Sequence, residues 1–324
     1  MSPSSARPRV LVTRALFREH VEHLAAHVDV ELNQADVPIA PADLATRVAG
    51  CDGLLCASGD RVDATVLADA ARLRCVSTIS VGTNHIDLAA CSQRGIIVTN
   101  TPDVLTETTA DFGWALMMAA ARRVTESEHW LRAGYWQRWS LDQFLGVDVH
   151  HATLGILGMG RIGQALAHRA SGFSMRVIYH NRSRLPEATE RQCHARYVTR
   201  EVLFTDSDHL ILVLPYTPEN HHIVGAAELA TMKATATLTN IARGGLIDEE
   251  ALADALEAGR LGGAGLDVYE GEPAINPRIL ALSRVALTPH LGSASRDTRR
   301  AMGMLAIDNL IDALAGREPP QRVA

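Results

Sequence analysis

A glycine-rich turn between residues 153 and 170 constrains the fold of this chain more than any other stretch. The apolar run Thr153–Leu157 predicts a buried strand, and the apolar residues after position 161 recur at helical spacing. The sequence between them is G-M-G-R-I-G, with glycines at 158, 160 and 163. A strand, a glycine turn and a helix in this order are typical of a βαβ unit that binds the phosphates of a dinucleotide.

Each glycine of this turn has its own expected task. We expect Gly158 to permit the tight turn, Gly160 to let the backbone approach a pyrophosphate, and Gly163 to let the helix pack closely on its strand. The start of the helix then faces the phosphates. We therefore count Arg161 and Ile162, which stand at that start, among the cofactor-binding residues.

The rest of the chain predicts an α/β fold with parallel sheets. At 324 residues the chain is long enough for two domains. Short apolar runs predict strands at 9–13, 28–32, 53–57, 74–80, 96–99, 153–157, 175–180, 209–214, 235–241, 263–268 and 285–288. Helical spacing predicts helices at 17–25, 41–49, 63–72, 106–133 and 295–314. Strands that alternate with helices favour a parallel sheet with crossover helices.

The net charge, the apolar runs and the cysteines indicate which partners and which compartment the protein has. The net charge of −6 argues against a nucleic-acid partner, which usually selects a basic surplus. No apolar run approaches the ~18 residues of a membrane span, and residues 1–9 lack the apolar segment of a secretory signal. The five cysteines are scattered without a C-x-x-C pair, as in a reducing compartment. We therefore expect a cytoplasmic protein with no membrane partner.

The end of the second strand after the glycine turn predicts which dinucleotide binds. An NAD-binding unit usually carries an acid there for the ribose hydroxyls. This chain has no acid at that point and instead has the run Asn181, Arg182, Ser183 and Arg184. Arginine offers charge-assisted donors to a 2′-phosphate, so we predict NADPH, with NADH as a weaker alternative. The other interpretation is a solvated basic turn.

Three downstream segments each bring a polar residue to the end of a predicted strand. They are I-A-R-G-G at 241, L-D-V-Y-E-G-E-P at 266 and T-P-H-L-G-S at 288. Ligands of open parallel sheets bind outside the carboxyl ends of the strands. We therefore expect Arg243, Glu272 and His290 to share one rim and to form a site.

These motifs resemble the D-2-hydroxyacid dehydrogenase family over nearly the whole chain. The resemblance rests on G-M-G-R-I-G, I-A-R-G-G-L-I-D, L-D-V-Y-E-G-E-P and T-P-H-L-G-S-A-S. Within the family the chain is most similar to the bacterial glyoxylate/hydroxypyruvate reductase B type, also called 2-ketogluconate reductase. That closer match rests on S-T-I-S-V-G at 77, T-P-D-V-L-T-E-T-T-A-D at 101, D-V-H-H-A-T-L-G-I at 148 and D-N-L-I-D-A-L at 308.

The resemblance implies an architecture and an assembly. It implies two Rossmann-like domains with discontinuous connectivity. Residues 1–102 and 290–324 would form the substrate domain, and residues 103–289 the NAD(P)-binding domain. It also implies a homodimer that forms through the cofactor domains. The aromatic run Tyr135–Trp139 is either a packed loop or a subunit contact, since exposed tryptophan is typical of interfaces. By analogy with a related reductase, Trp139 would alternatively reach a neighbouring subunit's site.

The resemblance also implies reduction of a small 2-keto acid to the D-2-hydroxy acid. Arg243 would bind the substrate carboxylate and keto oxygen, because its guanidinium is a rigid fork of donors. His290 would give its proton to the forming alkoxide, and Glu272 would stabilise the imidazolium. The backbone at Val81 and Gly82 would hold the carboxylate. Two further cofactor-binding positions complete the expected set, Ile241 and Asp267, the second of them near the nicotinamide.

Several alternatives stay open at this point. One is a reductase of the phosphorylated sugar acid 2-keto-6-phosphogluconate. Formate dehydrogenase is disfavoured because that relative lacks the glutamate that Glu272 supplies here. A different class is a binding protein that senses dinucleotides without turnover. The run Thr83–His85 departs from many family members beside the substrate, so chain-length preference is open.

Two tandem histidine pairs do not predict a metal site. Successive side chains are expected to diverge, so His150–His151 and His221–His222 should not present facing ligands. Nothing in the chain resembles H-E-x-x-H. We therefore predict no metal.

Overall fold

The computed structural model describes residues 7–324. Residues 1–6 lie outside the described part. The prediction that residues 1–9 are not a secretory signal falls mostly on these residues. The chain divides into two compact units. One consists of Met1–Leu105 with Ala294–Ala324, and the other of Thr106–Ser293.

The elements of the two units follow in chain order. The strands are β1 (Arg9–Val12), β2 (Asp29–Leu32), β3 (Gly53–Cys56), β4 (Cys75–Thr78), β5 (Ile97–Thr99), β6 (Thr153–Leu157), β7 (Arg176–His180), β8 (Ala195–Tyr197), β9 (His209–Leu212), β10 (Thr237–Asn240), β11 (Gly263–Leu266) and β12 (Val285–Leu287). The helices are α1 (Arg18–His27), α2 (Pro41–Val48), α3 (Leu88–Gln93), α4 (Thr106–Ala121), α5 (Val124–Arg132), α6 (Arg161–Ser171), α7 (Glu187–Gln192), α8 (Arg200–Asp206), α9 (Ala226–Thr231), α10 (Glu249–Glu257), α11 (Pro277–Ala281) and α12 (Arg296–Leu314).

The first unit is a parallel sheet with the strand order β2-β1-β3-β4-β5. Alternate residues of β1 enter different cores. Leu11 packs on one face of the sheet, whereas Val10 and Val12 pack on the other face with α12. This alternation follows from the two-residue period of a strand, and burial of both faces is typical of parallel sheets.

The second unit is a larger parallel sheet with the order β12-β11-β10-β9-β6-β7-β8. The chain runs outward from β6 through β7 to β8 and then returns to β9 on the other side. The strand order therefore reverses between β6 and β9, and ligands of such sheets bind at that point. The cores follow the same alternation, with Leu210 and Leu212 on one face and Ile211 on the other. These two units confirm the predicted α/β class with two Rossmann-like domains.

Two predicted helices were wrong. Residues 64–69 form consecutive turns rather than the helix predicted at 63–72. The Leu67 N–H donates to the carbonyl of Asp63, four residues back, but the N–H groups of Ala68 and Ala70 donate to carbonyls three residues back, so the α-helical pattern does not continue. The single helix predicted at 106–133 is two helices, α4 and α5. Arg123 between them has a left-handed φ of 55°, which a continuous helix does not permit.

Two further observations concern the length of the helices and the state of the cysteines. Within residues 7–324, no helix has both the length and the apolar character that a membrane crossing requires. All five cysteines are buried as free thiols.

Candidate active site

The glycine turn between β6 and α6 has the shape that a dinucleotide phosphate needs. Gly158 has a φ of 104°, and a Cβ there would lie 2.7 Å from the backbone nitrogen of Leu214, which follows β9. A Cβ on Gly163 would lie 2.5 Å from the Gly158 oxygen, so helix and turn touch. A Cβ on Gly160, in contrast, would meet no atom within 4 Å. The turn is thus tight beneath and open at Gly160, and it fits a pyrophosphate at the start of α6.

A hydrogen bond joins the segment after β7 to this turn. The backbone N–H of Met159 donates to Asn181 Oδ1 at 2.6 Å. Arg182 and Ser183 are exposed, and no hydrogen bond or ion pair of the Arg182 side chain occurs within residues 7–324. Arg184 differs, because its guanidinium binds both carboxylate oxygens of Glu190 at 2.9 and 2.6 Å. Of the two arginines that the sequence analysis grouped together, Arg184 is therefore paired with a carboxylate and Arg182 is exposed.

Three adjacent strands bring the other predicted residues to one edge. Strands β10, β11 and β12 are parallel neighbours, and each ends a few residues before one of the three predicted catalytic side chains. Those side chains are Arg243, Glu272 and His290.

The closest contact of this edge joins His290 to Glu272. His290 Nδ1 lies 2.8 Å from Glu272 Oε2, which leaves Nε2 as the other ring position. Burial by itself would raise the pKa of Glu272. The hydrogen bond and charge of His290, the N–H of Tyr269 and the charge of Arg243 outweigh that effect, and the pKa lies below its ordinary value. Glu272 is therefore a carboxylate at neutral pH, and it can accept a hydrogen bond from the His290 ring.

Arg243 is half-buried beside this pair. Its Nη1 donates to the carbonyl of Ala242 at 2.6 Å. Burial lowers the pKa of Arg243 from its ordinary value, and the charge of Glu272 opposes that shift. A guanidinium remains protonated even so. The edge therefore combines a fixed cation, a carboxylate and an imidazole, which suits a substrate with a carboxylate and a reactive carbonyl.

Asp267 anchors the loop that carries His290. It is buried, and its Oδ1 accepts from the backbone N–H of Leu291 at 2.7 Å and from the Thr288 hydroxyl at 2.8 Å. Its Oδ2 accepts from the N–H of Gly292 at 2.8 Å. His290 itself has a left-handed φ of 54°, an uncommon conformation that this loop imposes. The structure thus gives Asp267 a positioning task, while its contact with a cofactor stays a prediction.

Sequence reasoning missed two residues that shape this edge. The Tyr269 hydroxyl lies 3.0 Å from the carbonyl of Leu266 and 2.9 Å from that of Thr288, so it bridges the ends of β11 and β12. Asn240 donates to the carbonyl of Arg243 at 2.8 Å and accepts from the N–H of Ala242. Tyr269 stands inside the motif that carries Glu272, and Asn240 immediately precedes the motif that carries Arg243, so their position beside these motifs was the available signal.

The remaining predicted residues lie in different surroundings. Ile241 is buried against Gly113, where a Cβ would approach its side chain to 2.5 Å. Val81 and Gly82 belong to the first unit and follow the end of β4. Ser80 donates to the Gly82 carbonyl at 2.7 Å and so fixes that turn.

The predicted divergence of the tandem histidines was wrong. The rings of His221 and His222 stack with their centroids 3.7 Å apart, and those of His150 and His151 meet edge to face at 5.2 Å. The second histidine of each pair has a left-handed φ, 52° for His222 and 60° for His151. That conformation turns successive side chains toward the same side, which an extended or helical backbone does not.

Comparison with known proteins identifies the family. The model of the D-isomer specific 2-hydroxyacid dehydrogenase NAD-binding domain matches residues 114–292. The chain belongs to the D-isomer specific 2-hydroxyacid dehydrogenase family. It is similar to a glyoxylate reductase of Thermococcus kodakarensis, with 44% identity over 98% of this chain and 96% of the relative.

Two solved structures of the family have the same fold over their whole length. A glyoxylate reductase from Paecilomyes thermophila is 32% identical with a TM-score of 0.86, and 98% of each chain is covered. An NADPH-dependent glyoxylate/hydroxypyruvate reductase from Sinorhizobium meliloti, in complex with NADP and malonate, is 32% identical with a TM-score of 0.87, and 98% of this chain and 97% of that chain are covered. The protein is therefore an oxidoreductase of the 2-keto acid and 2-hydroxy acid pair, with an NAD-binding domain.

Proposed function

We propose that this protein reduces glyoxylate, hydroxypyruvate or 2-ketogluconate to the D-2-hydroxy acid with NADPH. The observation that carries the proposal is the 2.8 Å contact of His290 with Glu272, at the edge that also holds Arg243. A protonated imidazole with a carboxylate behind it is a general acid. The names of the relatives support the substrate class.

Each residue of the edge has a proposed role in that reduction. Arg243 binds the substrate carboxylate and polarises the keto oxygen, because its charge is fixed and its donors are planar. His290 gives the proton of Nε2 to the oxygen, and Glu272 holds the imidazolium that precedes this transfer. The backbone N–H groups of Val81 and Gly82 are proposed as further donors to the carboxylate. NADPH, when bound, supplies the hydride.

The proposed cofactor site uses the glycine turn and the segment after β7. The turn is formed by Gly158, Gly160 and Gly163, with Arg161 and Ile162 at the start of α6 and with Ile241 and Asp267 at the nicotinamide end. Of the two arginines, Arg182 is the proposed donor to the 2′-phosphate, because Arg184 is already paired with Glu190. The NADP complex of the Sinorhizobium meliloti relative supports this preference.

Initial rates test both halves of the proposal. NADPH and NADH oxidation are each measured against glyoxylate, hydroxypyruvate, 2-ketogluconate and its 6-phosphate. We expect turnover of at least one unphosphorylated acid and a higher kcat/KM with NADPH. Turnover of the 6-phosphate alone would contradict the substrate class. Cofactor binding without turnover of any acid would indicate a dinucleotide-sensing protein instead.

A charge reversal tests the cofactor preference. Arg182→Asp should raise the KM for NADPH by about tenfold or more, which is ~1.4 kcal/mol of lost binding, and should leave the KM for NADH nearly unchanged. Arg284→Asp is the matched control, because Arg284 is exposed and precedes β12 at the opposite edge of the same sheet. Equal effects of both variants would contradict the proposed role of Arg182.

We also propose a homodimer in the cytoplasm. The segment between α5 and β6 exposes apolar side chains that monomers rarely leave in water, and interfaces are rich in tryptophan. The exposed set is Tyr135, Trp136, Trp139, Leu141 and Leu145. Sedimentation of the wild type and of Trp139→Ser tests the dimer. A monomeric wild type would contradict it.

A further inference from the structure

A second cluster of polar side chains lies apart from the group formed by Arg243, Glu272 and His290. Within residues 7–324, the group His221, His222 and Glu270 is the one in which three or more donor side chains are close enough together to hold a metal ion. One donor atom of each lies within 4.8 Å of the others. None of the three is part of the proposed reduction, so the cluster needs its own explanation.

The carboxylate of Glu270 is shared between the two rings. His222 Nε2 lies 2.8 Å from Oε2, and His221 Nε2 lies 3.9 Å from Oε1. The rings themselves stack at an angle of 24°. Both Nε2 atoms therefore lie beside the same carboxylate, and two imidazoles with one carboxylate are a ligand set that divalent transition-metal ions accept.

The backbone and a neighbouring side chain hold these donors in place. The N–H of His222 donates to the Gly245 carbonyl at 2.8 Å, and the N–H of Glu270 donates to Glu249 Oε1 at 2.8 Å. The Tyr216 hydroxyl lies 3.2 Å from His221 Nδ1. A partner on the second ring nitrogen fixes the orientation of a metal-binding imidazole and leaves Nε2 for the ion.

Charge and access both suit a cation. Glu270 brings a formal negative charge to the cluster, and the buried Glu249 adds a second carboxyl group behind it. The side chains of His221, His222 and Glu270 are 42%, 34% and 45% exposed, so an ion reaches them from water. An exposed site also leaves room for a water ligand, as three-ligand zinc sites do.

We propose that His221, His222 and Glu270 bind a divalent transition-metal ion of the zinc class, with water as the remaining ligand. Ligand atoms around tetrahedral zinc lie about 3.3 Å apart, given bonds of ~2.0–2.1 Å. The His222–Glu270 pair is already closer than that, at 2.8 Å, whereas His221 Nε2 lies 3.9 Å from Glu270, so the stacked rings must turn toward the ion when it binds. The site uses no residue of the reduction and does not depend on the proposed substrate.

Calorimetric titration of the full-length protein with Zn²⁺ tests the site. We expect one ion per chain. His222→Ala should weaken the affinity by at least about tenfold, since loss of an outer-shell partner alone costs 10–100-fold. Glu270→Gln should weaken it as well. Titration with Co²⁺ gives a second readout, a visible absorption band of a tetrahedral ion that the His222 variant should lose.

His150→Ala is the matched control. The pair His150–His151 has the same left-handed backbone at its second residue but does not belong to a cluster of three metal-binding side chains. This variant should leave the zinc affinity unchanged. Circular dichroism establishes whether each variant is folded. If His222→Ala does not fold, Glu270→Gln replaces it in the test, because glutamine keeps the shape of the side chain. Wild-type affinity in a folded His221→Ala/His222→Ala variant would overturn the proposal. Absence of Zn²⁺ binding to the wild type would also overturn it and leave an ordinary ion pair.

Discussion

The two ends of the carboxyl edge in the second unit differ in how firmly their side chains are held. At the catalytic end, Asp267 accepts three hydrogen bonds from the loop that carries His290, and Glu272 accepts from the ring itself. At the cofactor end, a Cβ on Gly160 would meet open space, and Arg182 is exposed.

The difference fits what each end is proposed to bind. A proton donor must stand at one distance from its acceptor, so the catalytic end satisfies its polar groups within the protein. A phosphate brings its own oxygens as acceptors, so the proposed cofactor end keeps the exposed guanidinium of Arg182 available. Variants at the two ends should therefore change different quantities, and four predictions test this from the largest effect to the smallest.

Loss of the proton donor should affect the chemistry alone. His290→Gln should lower kcat by about 100–10,000-fold, the usual contribution of a general acid, and should leave the Kd of NADPH unchanged. Stopped-flow rates and fluorescence titration of the cofactor measure the two quantities. The control is His168→Gln, an exposed position on α6. Wild-type kcat in the His290 variant would refute the assignment.

Substitutions within the glycine turn should separate binding from folding. Gly160→Val should raise the Kd of NADPH by about tenfold or more, or ~1.4 kcal/mol, at an unchanged Tm, because its surroundings are open. Gly163→Val should instead lower stability by ~1–3 kcal/mol through overpacking, because a Cβ there meets the Gly158 oxygen. Titration and thermal unfolding distinguish them. The same Tm for both variants would contradict the comparison.

Asp267→Asn should loosen the catalytic loop. The amide keeps the shape but replaces one acceptor oxygen with an NH₂ group that cannot accept from Leu291 or Gly292. An unsatisfied buried N–H costs ~1–3 kcal/mol, and we expect stability to fall by that amount together with kcat. Urea unfolding and steady-state rates measure both effects. A variant with reduced kcat and intact stability would show that Asp267 acts on the cofactor rather than on the loop.

Glu190 should make a small contribution to stability that depends on pH. The hydrogen bond from Arg184, followed by that from Tyr179, lowers the pKa of Glu190 from 4.5 to about 2 against the effect of burial. The folded state therefore binds this proton less readily than the unfolded state does. The contribution is complete above pH 4.5 and is lost as the pH falls toward 2. Urea unfolding between these values should show a shallower pH dependence for Glu190→Gln, and an unchanged slope would contradict this.

Much of the fold followed from local patterns. The run Thr153–Leu157 and the glycines after it predicted β6, the turn and α6, because strand period and glycine freedom are local properties. The helix α12 was predicted within one residue of its observed start. The helix break at Arg123 was not predicted, because apolar spacing continues across a single left-handed residue. The edge strand β8 was missed because it is not an apolar run: an exposed arginine, Arg196, stands at its centre.

The candidate site also has a part that the sequence determined and a part that only the tertiary structure determined. The sequence by itself determined the residue types at the ends of β10, β11 and β12 and the absence of an acid after β7, since both belong to continuous motifs. Only the tertiary structure decided which partners these side chains have. It paired Arg184 with Glu190, fixed the His290 loop on Asp267, and turned His221 and His222 toward Glu270. The last two pairings join residues that are distant in the chain, and the first depends on how the segment between residues 184 and 190 turns, so residue spacing encodes none of them.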